Sequence, residues 1–345
     1  MRLVPSHRLR NDHDPIRVLV SVFALVGLAL VSVPEAARAQ VEAVAIEQPR
    51  ADDRNFEIGA AYDHQFETDV DKDGDFSRDS VMLNARAKWD VTDSFSLTPI
   101  FRWENHTYDF SNDAKALGFA WNNVNFGLVA LLLNYKINSN WSLMGAPVVR
   151  YQGEASADVD DSLDGGGLVG FMYHPSPRLQ LGLLIGVVSA IEEDLAIIPI
   201  PMVRWQAGDE ITLKLGIQSL GTRVGLGPEF LWHPSKEFEL GFGGVFMNRR
   251  FRLDDHGRKA RAPTNAIGRQ PGVARGRSTD GIGQDRSFPV YLRAQWKPVD
   301  GLGLEAFGAV VLGGELIVEE EYGDQIQQET YDPTGLIGLR AVYRF

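Results

Sequence analysis

Cysteine is absent from all 345 residues. That absence excludes a disulfide scaffold, a thiolate metal centre, a cysteine nucleophile and a lipid-modified N-terminal cysteine. Long apolar runs are nearly absent too. Beyond Val33 no stretch reaches the roughly 18 apolar residues of a helical membrane span. A P-loop, a GxSxG elbow and an HExxH helix are all missing, which removes the short signatures of three large hydrolase classes. Basic charge is in deficit: 34 Lys and Arg stand against 46 Asp and Glu, for a formal net charge of −12. A nucleic-acid partner is not expected on that balance.

What is present begins with an address. Arg2, Arg8, Arg10 and Arg17 precede the 16-residue run VLVSVFALVGLALVSV, and Ala37-Arg38-Ala39 then stands before Gln40. A basic region, a short apolar region and a small-x-small site are the layout of a secretory signal peptide. The run is short for an anchor, which takes about 20 residues. Residues 1–39 are therefore read as a removed leader and 40–54 as a short periplasmic segment. The remainder, 55–345, forms one domain. Five Arg and three acids leave with the leader, which lowers the formal charge from −12 to −14.

From Asn55 onward the chain falls into alternating segments of about ten residues, the length of a tilted strand crossing a bilayer. Phe56, Ile58, Ala60, Tyr62, His64 and Phe66 share one phase. In the next segment Val81, Leu83, Ala85, Ala87, Trp89 and Val91 lie opposite Asn84, Arg86, Lys88 and Asp90. Two motifs travel with the repeat. Alternate strands open on an apolar-x-Leu step, at Phe95, Trp141, Leu179, Ile211, Phe238 and Leu302. The strands before them close on an aromatic, at Trp89, Tyr135, Tyr173, Trp205, Trp232 and Trp296, with Tyr343 in the same place at the end. Short polar turns join these ends, such as INSN, HPSP and QAGD, while connections at the other end are mostly long.

Alternation alone also fits a soluble β-sandwich. The asymmetry of turns and loops, the aromatic row and apolar faces free of Asp, Glu, Lys and Arg favour a membrane barrel. The expected fold is all-β: a single transmembrane antiparallel up-and-down barrel of 14 strands, with 12–16 as the range. Pro99, Pro147, Pro199, Pro201 and Pro228 fall on apolar faces. Proline cannot donate to a ladder, so these positions predict bulges or ladder breaks.

The chain closes on GLIGLRAVYRF, with Ile337, Leu339, Ala341, Tyr343 and Phe345 in one phase. This ending resembles the C-terminal signal of bacterial outer-membrane β-barrels. With the leader and the hairpin repeat, the resemblance covers the whole chain. Within that class the chain is similar to an uncharacterised family, a domain of unknown function. The resemblance implies the outer membrane of a Gram-negative-type cell as location. It also implies recognition of Phe345, Tyr343 and Leu339 by the barrel-assembly machinery, and lipid and lipopolysaccharide as surroundings. A monomer is expected.

The inward phases carry Arg86, Lys88, Arg102, Glu104, Arg150, Arg204, Lys214, Glu229, Glu239, Arg249, Arg293, Glu305 and Arg340. Such residues line a pore or fill it as a network. A polar, partly open lumen is expected, giving a porin-like passive channel for small polar or anionic solutes. The alternative is a structural or surface-interaction barrel without transport. A barrel hydrolase is the weakest reading. His64 and His106 lie near Asp63, Asp69 and Asp109 in sequence, but girdle and loop positions explain them, so no catalytic residue is assigned. His174 and His233 recur in HPS turns and read as turn structure.

Two loops invite further expectations. In DVDKDGDFSRDS, Asp69, Asp71 and Asp73 before Gly74 reproduce the front half of a calcium loop, with Asp75 beside them. Ser80 stands where a bidentate Glu belongs, so calcium at an extracellular loop is the one cofactor the sequence suggests. The basic loop from Asp254 to Arg286 and the acidic one from Glu315 to Asp332 could pair as a lid over the mouth.

Overall fold

The computed structural model describes residues 55–72, 74–116, 118–191, 193–254, 281–320 and 324–345. The leader, the segment before Asn55 and most of the basic loop lie outside these residues. The strands are β1 (Phe56–Asp69), β2 (Asp75–Ala87), β3 (Trp89–Asp90), β4 (Phe95–Phe110), β5 (Asn123–Lys136) and β6 (Trp141–Glu154). They continue as β7 (Leu163–Ser176), β8 (Leu179–Ala190), β9 (Glu193–Gln206), β10 (Ile211–Leu220), β11 (Arg223–Trp232) and β12 (Phe238–Gly244). The last are β13 (Met247–Arg252), β14 (Ile282–Val299), β15 (Leu302–Glu319), β16 (Gln325–Tyr331) and β17 (Thr334–Arg344). Short helices α1 (Asn112–Ala116) and α2 (Val159–Ser162) sit in two connections. Among the described residues no helix is long and apolar enough to cross a membrane; strands do the crossing.

The 17 segments form 14 staves of a closed antiparallel barrel, because β2/β3, β12/β13 and β16/β17 are each one interrupted stave. Closure runs from Glu57↔Arg344 to Gln65↔Leu336. Phe56 and Phe345 exchange backbone hydrogen bonds of 3.1 and 3.0 Å, and their rings lie 4.7 Å apart. The terminal aromatic thus completes the ladder that leaves no strand edge open at the seam.

The two sequence motifs are one contact seen from both sides. Each closing aromatic is the cross-strand partner of the Leu in the next opening step: Trp89↔Leu97, Tyr135↔Leu143, Tyr173↔Leu181, Trp205↔Leu213, Trp232↔Leu240 and Trp296↔Leu304. An aromatic beside a branched aliphatic stabilises a strand pair by roughly 0.2–1 kcal/mol. The outward phases are exposed, with Leu339, Val129, Phe101 and Leu83 all more than half accessible. The inward phases hold the buried charges.

All five prolines coincide with an interruption. The ladder between β2/β3 and β4 skips Pro99, and that between β5 and β6 skips Pro147. The β8–β9 ladder runs unbroken through Pro199 and Pro201. Such continuity requires the two proline nitrogens to face away from β8, towards β10. The β9–β10 ladder accordingly stops at Val203↔Leu215, just below Pro201. Across from it Gly216 takes φ 128°. The β11–β12 ladder ends at Glu229↔Gly243, beside Pro228, and resumes only as the single bridge Leu226↔Phe246.

Above those stops the wall turns inward. The upper β10–β11 hairpin is buried on both faces, with Leu220, Thr222 and Arg223 inaccessible to solvent. Thr222 meets Asp63 on β1, and Ser219 meets Arg340 on β17, strands on the far side of the ring. The tip therefore crosses the lumen. All six residues of β13 are buried as well. Its end pairs with β6 at Arg252↔Gly153, and Arg250 Nε donates to the Ile191 carbonyl.

Two stretches read as loops are largely strand. β1 and β2 extend to Asp69 and from Asp75, leaving a tight tip between them. Most of Glu315–Asp332 is the β15–β16 hairpin. The sequence signal fails there because both segments are rich in acids, yet ladder bonds depend on the backbone. The acids are neutralised from outside the segment: Lys72 lies 2.5 Å from Glu329 and Arg250 lies 2.7 Å from Glu319.

Candidate functional site

The interior is organised in tiers. In the half nearer the short turns, Arg293 on β14 is a hub for three carboxylates, Glu229 at 2.6 Å, Glu239 at 2.7 Å and Glu305 at 3.1 Å. Lys214 reaches Glu229 at 3.1 Å, and Tyr291 donates to the same carboxylate. At the seam, Arg86 and Arg344 both hold Glu57, at 2.8 and 2.6 Å. The register explains the hub. Glu239 on β12 and Glu305 on β15 both pair with Gln295 of β14, two residues from Arg293, and Glu229 on β11 pairs with Gly243 of β12.

The solvent-reachable charge in this half is mostly positive. Glu57, Glu229, Glu239 and Glu305 are buried. Arg86, Lys88, Lys214 and Arg340 are half-buried, and Arg204 is exposed. Lys88 stands 3.0 Å from the exposed Asp90. A wall with its acids withdrawn and its cations reachable presents a positive potential to a solute.

The middle tier is the hairpin tip and its sockets. Asp63, fully buried, accepts hydrogen bonds from Thr222 N at 3.1 Å and Thr222 Oγ1 at 2.5 Å, and faces Arg223 at 3.5 Å. Arg102 and Arg249 donate to the Thr222 carbonyl at 2.7 and 3.3 Å. Arg78 and Arg223 share the side-chain oxygen of Gln65. Arg78 also pairs with Asp285, which accepts from Tyr108 and Tyr331. Arg150 is held by Asp164 at 2.6 Å. Towards the long-loop end lies an aromatic cluster of Phe76, Tyr108, Phe110, Phe119, Trp121 and Phe251.

His106 makes a contact that sequence spacing does not show. Its ring nitrogens lie 2.8 Å from Ser80 Oγ and 2.9 Å from Glu104. The Ser–His–Glu order resembles a hydrolase triad, yet Ser80 and His106 are buried. Glu104 is also engaged by Arg102 at 2.5 Å and Arg249 at 3.3 Å. The hydroxyl is withdrawn from substrate, and the carboxylate is shared. His64 is elsewhere, on the outer face, 2.9 Å from Asp79. The backbone N–H of each HPS histidine donates to a neighbouring turn, His174 to Asn140 O and His233 to Glu210 O, each at 2.7 Å. Burial outweighs the Glu239 carboxylate 3.4 Å away and holds the pKa of His233 below its ordinary value.

At the acidic tip, Asp69 pairs with Asp75 in the ladder, and Asp71 accepts from Thr330. Asp73 lies outside the described residues. Among the described residues no group of three or more His, Asp or Glu side chains is placed to hold a metal ion. The expected basic partner of the acidic lid, 255–280, is likewise outside them.

Sequence reading gave no role in the lumen to Asp63, Arg78, Arg223 or Asp285. Asp63 sits on the polar phase of β1 with Glu57 and Gln65, so the signal was available there. Arg78 and Asp285 belong to stretches read as loop, and Arg223 begins β11 beside a short connection to which no role was assigned.

No protein-family model matches the chain, so the narrower resemblance to a domain of unknown function is unsupported. No curated protein matches it either. Among solved structures, the chain is similar in fold to an outer-membrane channel of Pseudomonas putida F1, with TM-score 0.46 and 13% identity over 87% of this chain and 100% of that one. It is similar also to a Pseudomonas aeruginosa FadL homologue, with TM-score 0.46 and 10% identity over 85% and 91%. A third is the KdgM porin, with TM-score 0.31 and 11% identity over 83% and 99%.

Proposed function

We propose that the protein is an outer-membrane barrel for passive transport of small polar or anionic solutes, with the β10–β11 hairpin as its internal gate. The carrying observation is the hairpin itself: it leaves the wall at Pro201 and Pro228 and ends in polar bonds to the opposite wall. Its tip combines the two kinds of contact: Leu220 joins the buried apolar cluster, and Thr222 ends in a charge-assisted latch inside a low-dielectric space. The reachable cations below it would draw anions towards the blocked level. The closed, outwardly apolar barrel supports placement in a membrane, since only helices and closed barrels satisfy every backbone group in lipid.

The cysteine-free sequence makes a direct test clean. In planar bilayers, Asp63→Cys/Thr222→Cys should give low conductance when oxidised and frequent opening when reduced. Equal conductance in both states would remove the gate. The buried interior tiers also favour a second reading, a structural barrel that does not conduct. Silence of the reduced variant, with the folded form intact, would select it.

A further inference from the structure

Two arginines meet on one neutral oxygen at the latch. Arg223, which opens β11 at the hairpin tip, is inaccessible to solvent, as are Asp63 and Gln65 on β1; Arg78 on β2 is 1% exposed. A guanidinium keeps its charge and carries five N–H donors, so burying one is costly unless acceptors surround it. Arg78 is well served. Its Nη1 donates to Asp285 and Tyr108, and its Nη2 to Gln65 Oε1 at 2.8 Å. Arg223 is served poorly. Its Nη2 takes the same Gln65 oxygen at 3.2 Å and stands 3.5 Å from Asp63 Oδ1. Its Nη1 faces the Met247 sulfur at 3.8 Å, a weak acceptor.

Three donors beside that oxygen remain unused. Among the described residues, Arg78 Nε, Arg223 Nε and Gln65 Nε2 have no hydrogen-bond acceptor. Planarity fixes where they point. In a guanidinium the Nε–H and the nearer Nη2–H lie along one edge of the fork. Both Nη2 atoms donate to Gln65 Oε1, which sets both Nε–H edges against Gln65, whose own amide adds the third donor. Gln65 and Arg78 face each other across the β1–β2 ladder, in the last pair before a bulge. The carboxylates are committed elsewhere. Asp285 is held on the opposite edge of Arg78 by Nη1, with Tyr108 and Tyr331 also donating to it. Asp63 gives Oδ2 to Thr222. Two like charges on a neutral acceptor, in a space of low dielectric, call for a counter-ion between them.

We propose that a small monovalent anion of the halide class binds between Arg78 Nε, Arg223 Nε and Gln65 Nε2 and fastens the hairpin tip to the wall. A bare ion is the fitting occupant, because these residues are closed to solvent and a bulkier organic anion has no path to them with the tip in place. Two of the donors belong to the wall and the third to the tip, so the ion is taken up as the tip closes. Closure thereby depends on anion concentration. The proposal rests on the gate reading given above and deepens it by naming a ligand of the latch.

The test follows the wild-type protein and Gln65→Glu through urea unfolding in liposomes, with chloride exchanged for gluconate at constant ionic strength. In Gln65→Glu a carboxylate oxygen replaces the amide nitrogen and supplies the negative charge from the chain itself. The folded-to-unfolded ratio of the wild type should rise about tenfold for each tenfold rise in chloride above the dissociation constant. The variant should show no chloride dependence. A flat wild-type response would overturn the site, as would equal chloride dependence in the two proteins. Crystals of the wild-type protein grown in bromide give a second reading that needs no variant. An anomalous peak within hydrogen-bond reach of Gln65 Nε2 and both Nε atoms is expected, and its absence would overturn the proposal even if Gln65→Glu fails to fold. Neither measurement reads conductance. The site can therefore fail while the disulfide test upholds the gate, and the gate can fail while the site stands.

Discussion

Asp63→Asn tests the gate at its latch. The carboxylate is fully buried and takes two hydrogen bonds from Thr222 while facing Arg223 at 3.5 Å. Hydrogen bonds to a charged group contribute about 1.5–3 kcal/mol each, and removing one partner of a buried ion pair costs about 3–5 kcal/mol. These terms overlap, because the same charge is counted in both. The closed state should therefore lose about 3–5 kcal/mol relative to any state in which the tip is solvated. At about 1.4 kcal/mol per decade, the open-to-closed ratio should rise by roughly two to three and a half decades. Single-channel recording reads that ratio as open time, and heat-modifiable migration establishes that the barrel is folded. A folded Asp63→Asn protein with wild-type open time would refute the latch, since the remaining bonds from Arg102, Arg249 and Arg340 would then hold the tip alone.

Other variants probe the wall and the hub. A Cβ on Gly227 would lie 1.8 Å from the Gly244 carbonyl oxygen, so Gly227→Ala should push the hairpin off β12 and raise open time; unchanged recordings would argue against that close approach. Arg293→Gln leaves Glu229, Glu239 and Glu305 buried without their shared cation, and urea unfolding in liposomes should show a loss of about 3–5 kcal/mol. Leu131→Arg, on the outer face opposite Pro99, should cost roughly 2–4 kcal/mol if it lies near the bilayer midplane, read by the same unfolding assay. Deleting Phe345 removes two backbone bonds and a ring contact at the seam. Outer-membrane levels should fall while periplasmic export continues, and normal membrane yield would count against the seam's role in assembly.

The architecture was legible because a lipid-facing wall imposes a local rule. Outward positions at the depth of the hydrocarbon must be apolar, every strand has a period of two, and both requirements are written in neighbouring residues. That rule sufficed for 14 strands, the aromatic rows and the role of Phe345 in closure. It even marked the five prolines as interruptions. The sequence could not say which interruptions were repairable. Pro99 and Pro147 leave short gaps in continuous staves, whereas Pro199, Pro201 and Pro228 border a hairpin that leaves the wall.

What only the tertiary structure decided is the lumen. Inward phases supply charges, but their partners are set by barrel closure and by a hairpin crossing to the far wall. Asp63 and Thr222 lie 159 residues apart in sequence, and Glu104 and Arg249 lie 145 apart. No local period encodes such pairs. A period of two tells which side of the wall a residue faces. The three-dimensional path of β10 and β11 decides what meets it there, and so turns a set of pore-lining charges into a closed, latched interior.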